Sequence, residues 1–162
     1  MSKITTRVFR NEDAEAVSVI MWKGFEFFHR NEPKYKPFFT PEIIRNGSLS
    51  RTPLSETISY VVEVDGCLAG YARGTINPVY KLGSWESVAV DDRYARQGIG
   101  TLLMDKMETF FKKNKMRKVS TCVSAHNIRA VLFYFKYGFV IEGYRKDHFR
   151  DGVDEILLAK FY

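Results

Sequence analysis

Three features of the chain could do chemistry together. Arg96-Gln97-Gly98-Ile99-Gly100-Thr101 places two glycines where an apolar strand, Trp85 to Val90, runs into an amphipathic helix. Glycines at a helix start leave backbone N–H groups pointing outward, and the helix dipole adds roughly half a positive charge there. That is an anion cradle. Asn127 and Tyr134 follow on a later helical segment, NIRAVLFYFKYGF, spaced so that both lie on one face. An anion site beside a phenol suits a phosphorylated cofactor held next to a proton donor. Glu86 is the third feature: on a strand it shares a face with Val88 and Val90, where a carboxylate is costly unless paired and could have a raised pKa. A solvated Glu86 at the loop edge is the alternative. His126 and His148, beside a helix start and a hairpin, suit surface hydrogen bonding better than catalysis.

The elements that must position these groups follow from periodicity. Lys3 to Phe9 reads as a strand, and Asn11 is placed to cap a helix carrying Ala14, Val17, Ile20 and Met21 toward Phe28. Pro33, Pro37 and Pro41 break the chain before a short helix near Glu42 to Ser48. ISYVVEV and CLAGYARGTI flank Asp65-Gly66, a two-residue hairpin signal, and the strand from Trp85 comes next. The helix from about Thr101 to Lys113 has Leu103, Met107, Phe110 and Phe111 on one stripe, with Asp105, Lys106, Glu108 and Lys112 opposite. KVSTCV is a strand, Ile128 to Tyr137 a helix stopped by Gly138, and two last strands flank Asp151-Gly152. The expectation is one mixed α/β domain over residues 1–162, with a largely antiparallel sheet of about seven strands and flanking helices.

Bulk properties narrow the function classes. At 162 residues and 45% hydrophobic content the chain can bury a core without staples. MSKITTRVFR lacks an apolar leader and no run approaches a membrane span, so a cytoplasmic protein is expected, with no membrane partner. Cys67 and Cys122 lack the spacing of a metal or redox site and are expected as buried free thiols; no metal is expected. The net charge of +6 would attract an anionic cofactor, but also nucleic acid. The one basic run, KKNKMRK at 112–118, suits a solvated helix end, and no nucleic-acid motif accompanies it.

Rival readings of the glycine turn fail on specific positions. A nucleotide-hydrolase loop needs Gly-Lys-Ser/Thr, and Thr101 follows Gly100 directly. A dinucleotide fingerprint needs a third glycine where Leu103 stands. The pattern instead resembles the GCN5-related N-acetyltransferase (GNAT) superfamily, in which Arg/Gln-x-x-Gly-x-Gly/Ala opens a helix after an apolar strand. Asn127, Ala130, Tyr134, Gly138 and Phe139 also fall at that family's spacing. The first Arg/Gln position is Ala95 here, and Arg96 or Arg93 is left to supply the side-chain charge.

The resemblance implies a GNAT-type fold and acetyl-CoA as co-substrate. It implies that the backbone of Arg96, Gln97, Gly98, Ile99, Gly100 and Thr101 holds the pyrophosphate of coenzyme A. It also implies that Val88, Ala89 and Val90 pair with the pantetheine arm, that Asn127 contacts that arm, and that Tyr134 protonates the departing thiolate. Some polyamine-acetylating relatives carry an acidic residue at the place of Glu86, which makes it the candidate base. The acceptor is expected between Phe25–Phe39 and Tyr144–Gly152, which carry Glu26, Glu32, Asp147 and Asp151 among aromatics.

The leading function is therefore acetyl transfer from acetyl-CoA to a primary amine by direct attack in a ternary complex. The acceptor expected is a small molecule such as a polyamine or an amino acid derivative. A protein N-terminal or lysine acetyltransferase and a non-catalytic acyl-CoA-binding module are the alternatives. KDHF in the last hairpin, where N-terminal acetyltransferases tend to have paired tyrosines, weighs against a protein N-terminus. No nucleic-acid partner is expected, and a homodimer is allowed for.

Overall fold

The computed structural model describes residues 2–162. Its elements in chain order begin with β1 (Ile4–Val8), α1 (Ala14–Gly24), α2 (Glu26–His29), α3 (Pro41–Ser48) and β2 (Ser50–Arg51). There follow β3 (Glu56–Val64), β4 (Cys67–Asn77), β5 (Leu82–Val90), α4 (Ile99–Lys113), β6 (Lys118–Ser124), α5 (Ile128–Lys136), β7 (Val140–Arg150) and β8 (Val153–Phe161). One sheet runs β1-β3-β4-β5-β6-β8-β7, with β2 against β3. That makes eight strands where seven were expected; the extra one is the two-residue β2, too short to carry an alternation signal. Among the described strands only β5 and β6 pair in parallel. Their connection is α4, as a parallel pair requires a crossover.

Local chemistry explains most turns. Asp65 and Gly66 both take positive φ, 50° and 81°, the type I′ geometry that folds β3 onto β4. Gly138 (φ 82°) ends α5, with the Phe139 amide reaching back to the Tyr134 carbonyl at 3.2 Å. The start of the first helix differs from expectation. Residues Asn11–Asp13 form a 3-10 turn, and it is Asp13 that accepts from the Arg10 amide at 2.7 Å. Asp13 wins because Arg7 grips both its oxygens, at 2.7 and 2.8 Å. The helix also stops at Gly24, where the chain turns into α2.

Helices cover both faces of the sheet. On one side α4 and α5 bury Leu103, Met107, Phe111, Val131 and Tyr134 against Val62, Ala72, Trp85 and Val119. On the other, α1 and α3 bury Val17, Ile20, Met21 and Ile44 against Val61, Tyr71 and Ala89. The thiols were expected inside, but both are exposed. Cys67 directly follows the hairpin turn, and Cys122 lies on a sheet face where the neighbouring strand has diverged. The basic run at 112–118 is a solvated helix end, with Lys112, Lys113, Lys115 and Arg117 exposed. Lys112 pairs with Glu108, Lys118 with Glu142, and Met116 is buried between them in sequence. No described helix is long and apolar enough to cross a membrane.

Candidate active site

The site begins with a fork in the sheet. β5 and β6 are paired only from Leu82–Lys118 to Ser84–Ser120. Beyond that, β6 continues against β8 alone, and β5 from Glu86 to Val90 keeps β4 on one side and no strand on the other. A β-bulge coincides with the opening. Arg73 faces Ser87 and Gly74 faces Trp85, leaving Glu86 as the extra residue of β5. A bulge bends and twists its strand, which is the local cause of the divergence. The Thr121 hydroxyl bridges the apex, donating to the Trp85 carbonyl at 2.9 Å.

The bulge corrects the expectation for Glu86. Strict alternation would put it on the face of Val88 and Val90. Instead Trp85, Val88 and Val90 face the α4–α5 layer, while Glu86 turns to the opposite face. There it meets Arg73 Nε at 2.7 Å and accepts from the Thr75 hydroxyl at 2.6 Å. Glu86 is exposed and its charge is balanced by one guanidinium.

The glycine turn lies where β5 leads into α4. Arg96 and Gly98 both have positive φ, 63° and 82°. Of the backbone amides from Arg96 onward, the first with an acceptor in the chain is Leu102, to the Gly98 carbonyl at 3.0 Å. Arg96, Gln97, Gly98, Ile99, Gly100 and Thr101 thus offer a concave set of free donors at the positive end of a 15-residue helix. A Cβ on Gly98 would meet no protein atom within 4 Å, so its glycine character serves the turn and the space in front of it, not packing. Gly100 is close to Phe133 and Val90, at 3.6 and 3.8 Å from an added Cβ. Of the two arginines considered for the missing charge, Arg93 is engaged. Its guanidinium takes both Asp91 oxygens, at 3.1 and 2.8 Å, and holds that carboxyl below its usual range. Among the described residues Arg96 makes no side-chain hydrogen bond or ion pair. These features fit the diphosphate of coenzyme A.

Across the fork from β5, Asn127 caps α5, its Oδ1 accepting from the Ala130 amide at 3.1 Å. The side-chain amide donors of Asn127 remain available to a ligand in the fork. Tyr134 is buried, not at the surface, with its ring against Phe139 (5.2 Å between centroids) and edge-on to Trp85 (6.1 Å). Burial pushes its phenol pKa well up, partly offset by a hydrogen bond with Thr121. The phenol therefore keeps its proton at neutral pH and touches the residue that bridges the fork.

The other face of the fork is a groove of about 580 Å³ lined by Arg73, Glu86, Thr121, Cys122, Arg145 and Leu157, among others. A second hollow of about 450 Å³ adjoins Glu26, Phe27, Arg30, Ser124, His126 and Val153. Each is the size of a small-ligand site. The segments expected at the acceptor are drawn together: Arg150 pairs with Glu32 at 2.8 Å and Phe149 packs edge-on to Phe28 at 5.4 Å. Of the acidic residues there, Glu32 also pairs with Lys34, and Asp147 accepts from the Gly152 amide. Glu26 alone stands at a hollow.

Sequence reasoning passed over Glu155 and His29. Glu155 sits between Val153 and Leu157 on one face of β8, only 6% exposed. An acid between two inward apolar positions was the available signal. His29 is fully buried and stacked on Trp22. Its Nε2 meets the Trp22 carbonyl at 2.5 Å and Nδ1 accepts from the Asn31 amide at 2.8 Å, so both nitrogens serve the fold.

Comparison with known proteins places the chain in a family. Residues 16–139 match the Acetyltransferase (GNAT) family. The chain is 28% identical over 155 residues to an uncharacterized N-acetyltransferase of Methanocaldococcus jannaschii, covering 95% of this chain and 89% of that one. Its fold is similar to the ribosomal-protein-S18-alanine N-acetyltransferase of Escherichia coli, with a TM-score of 0.78 at 19% identity over 97% of this chain and 92% of that one. The PaiA N-acetyltransferase of Thermoplasma acidophilum, solved with coenzyme A, has a TM-score of 0.76 at 18% identity, covering 99% of both chains. At such identities the last two speak for the fold alone.

Proposed function

Because the chain belongs to the Acetyltransferase (GNAT) family, and is thereby an acetyl-CoA-dependent N-acetyltransferase, we propose how its own residues perform that transfer and on what. The observation that carries the reading is the unpaired β5 edge, Val88 to Val90, lying between the free amides of the glycine turn and the buried phenol of Tyr134. The turn holds the diphosphate, and the edge receives the amide-bearing arm as an added strand. Asn127 donates to that arm from the other side. The thioester then reaches the apex of the fork, where Thr121 and Tyr134 meet.

The neutral acceptor nitrogen attacks the thioester carbonyl carbon, the C–S bond breaks, the Tyr134 hydroxyl gives its proton to the departing sulfur, and the surplus proton on the new amide nitrogen passes through water to the Tyr134 phenolate. A lysine-like amine has a pKa of about 10.4, so releasing its proton at pH 7 costs about 4–5 kcal/mol. Glu86, across the groove wall, takes that proton through water, with Arg73 holding the carboxylate in place. The acceptor is the primary amine of a small molecule, a polyamine or an amino acid derivative. What supports it is the size of the two hollows and the carboxylates and aromatic rings around them. A protein α-amine is the second reading, favoured by the 27% identity over 157 residues to a putative ribosomal-protein-bS18-alanine N-acetyltransferase of Bacillus subtilis.

The test is release of free thiol from acetyl-CoA with a panel of polyamines, amino acid derivatives, and short peptides with free α-amines or lysines. Turnover of small amines in preference to peptides is the expected result. Turnover confined to peptides would replace this acceptor class with the second reading, and none at all would leave an acyl-CoA-binding module.

A further inference from the structure

The smaller hollow holds donors that the transfer does not use. Arg30 lines it from the end of α2, and Ser124 and His126 line it from the end of β6. Among the described residues the Arg30 guanidinium and the His126 ring make no hydrogen bond or ion pair, and both residues are exposed. The Ser124 oxygen accepts from the His126 amide at 3.4 Å and keeps its own proton to donate. Glu26, the acid of this hollow, does not pair with Arg30; its Oε1 accepts from the Asn31 side-chain amide at 2.7 Å. A guanidinium, an imidazole and a hydroxyl around one concavity suit a planar anion, and the guanidinium fork matches a carboxylate.

The backbone that presents Arg30 is held in a strained conformation. Arg30 and Asn31 both take positive φ, 45° and 60°, a region that a long side chain such as arginine rarely adopts. Three bonds pin the turn. The Arg30 amide donates to the Glu26 carbonyl at 2.7 Å, the Asn31 amide to His29 Nδ1 at 2.8 Å, and the Glu32 amide to the His29 carbonyl at 2.8 Å. His29, fully buried, anchors it to the core. Strain kept in place by its surroundings is a mark of ligand-binding positions.

The hollow continues the path along which the acceptor reaches the fork. Ser120, Cys122 and Ser124 are alternate residues of β6 and share one sheet face. The first two line the groove at the fork and the third lines the hollow. That face is open along its length, with Cys122 exposed and Ser120 and Ser124 partly so. On β8, Leu157 lines the groove and Val153 the hollow in the same way. At about 3.3 Å per residue, Ser124 lies about 7 Å along the strand from Cys122. The segment carrying Arg30 starts from the opposite arm of the fork, since Gly24 sits against Ala89 so closely that an added Cβ would come within 2.8 Å of the alanine Cβ.

Resting on the N-acetyltransferase reading above, we infer that Arg30, with Ser124 and His126, binds a carboxylate carried by the acceptor. The acceptor is then an amino acid acetylated on its amine, and not a polyamine. Its nitrogen stands at the fork while its carboxylate, a few bonds away, lies in the hollow. Arg30 sets specificity and takes no part in the proton transfers.

The experiment uses matched acceptors with one to five methylenes between the amine and a carboxylate, a carboxamide or a second amine. KM and kcat are measured for each with wild type, Arg30→Gln and Arg30→Lys, together with coenzyme A affinity. The wild type should show a KM for the best carboxylate about 10- to 100-fold below that of its carboxamide, the worth of charge-assisted hydrogen bonds. Arg30→Gln should raise the carboxylate KM by that factor and leave the carboxamide KM, kcat and coenzyme A affinity little changed. Arg30→Lys should recover part of the loss. An unchanged carboxylate KM in Arg30→Gln, or an equal rise for carboxylate and carboxamide, would overturn the proposal. A wild type that prefers diamines or carboxamides would also overturn it, while the acetyltransferase reading stands. Turnover confined to peptides would overturn it together with the small-molecule acceptor, and no turnover of any amine would overturn the transferase reading as well.

Discussion

The Thr121 hydroxyl donates to the Trp85 carbonyl at 2.9 Å, one residue past the last ladder pair between β5 and β6. This single side-chain bond closes the apex of the fork in place of the next backbone bond. Thr121 is also close enough to the Tyr134 phenol to lower its pKa against the effect of burial, so the proton donor stands near the point where the strands part. The bulge at Glu86, the apex and the donor are thus one local structure.

The two glycines separate backbone strain from ligand approach. Gly98→Ala keeps open space around its new Cβ but forces a left-handed residue, costing about 1–2 kcal/mol of stability. Gly100→Ala meets Phe133 and Val90 at ordinary contact distances and should leave stability unchanged. Both should weaken coenzyme A binding, because each methyl group stands beside the free amides. Calorimetric titration checks affinity and thermal unfolding checks the fold. Unchanged affinity in both variants would remove the cofactor from this turn.

Glu86→Gln should depress turnover most near neutral pH and progressively less toward pH 10, where free amine is abundant. Its motive is the place of Glu86 in the groove, held by Arg73 and Thr75. Steady-state rates across pH 6–10 decide the matter. A uniform loss would mean that the Arg73–Glu86 pair shapes the groove without moving a proton.

Asp13 predicts an acid-sensitive fold. Burial raises its pKa, but hydrogen bonds from Arg7 and the Arg10 amide outweigh this and hold it below the ordinary carboxyl range. A lowered carboxyl pKa gives stability that is present above the unfolded value and lost as pH falls through the folded one. Asp13→Asn should cost about 1–2 kcal/mol at pH 7, where Arg7 loses its more buried partner but keeps Glu63, and less at pH 2. Urea unfolding at the two pH values tests this. An equal difference at both would assign the effect to the cap alone.

The hairpin turns, the α4 stripe, the α5 stop at Gly138 and the glycine turn that opens α4 were legible because each depends on local chemistry or a fixed period. The face of Glu86 was not, because one bulge residue reverses the alternation after it and no residue type announces a bulge. Exposure of Cys122 and the pairing of Arg93 with Asp91 depend on which strands diverge and which side chains meet. Glu155 was half legible, as a charge in an inward strand position. Its burial is a property of three neighbouring strands together.

The central claim is that Tyr134 protonates the departing thiolate at the fork. Tyr134→Phe keeps the ring packed on Phe139 and Trp85 and removes only the hydroxyl. Rapid-quench measurement of the acetyl-transfer step, with saturating acetyl-CoA and an amine that the wild type turns over, reads this directly. The account predicts a chemical rate lower by about 10²–10⁴, with coenzyme A affinity and the amine's apparent affinity little changed. A wild-type chemical rate in Tyr134→Phe would contradict it, leaving Tyr134 as a packing residue and the proton to come from elsewhere.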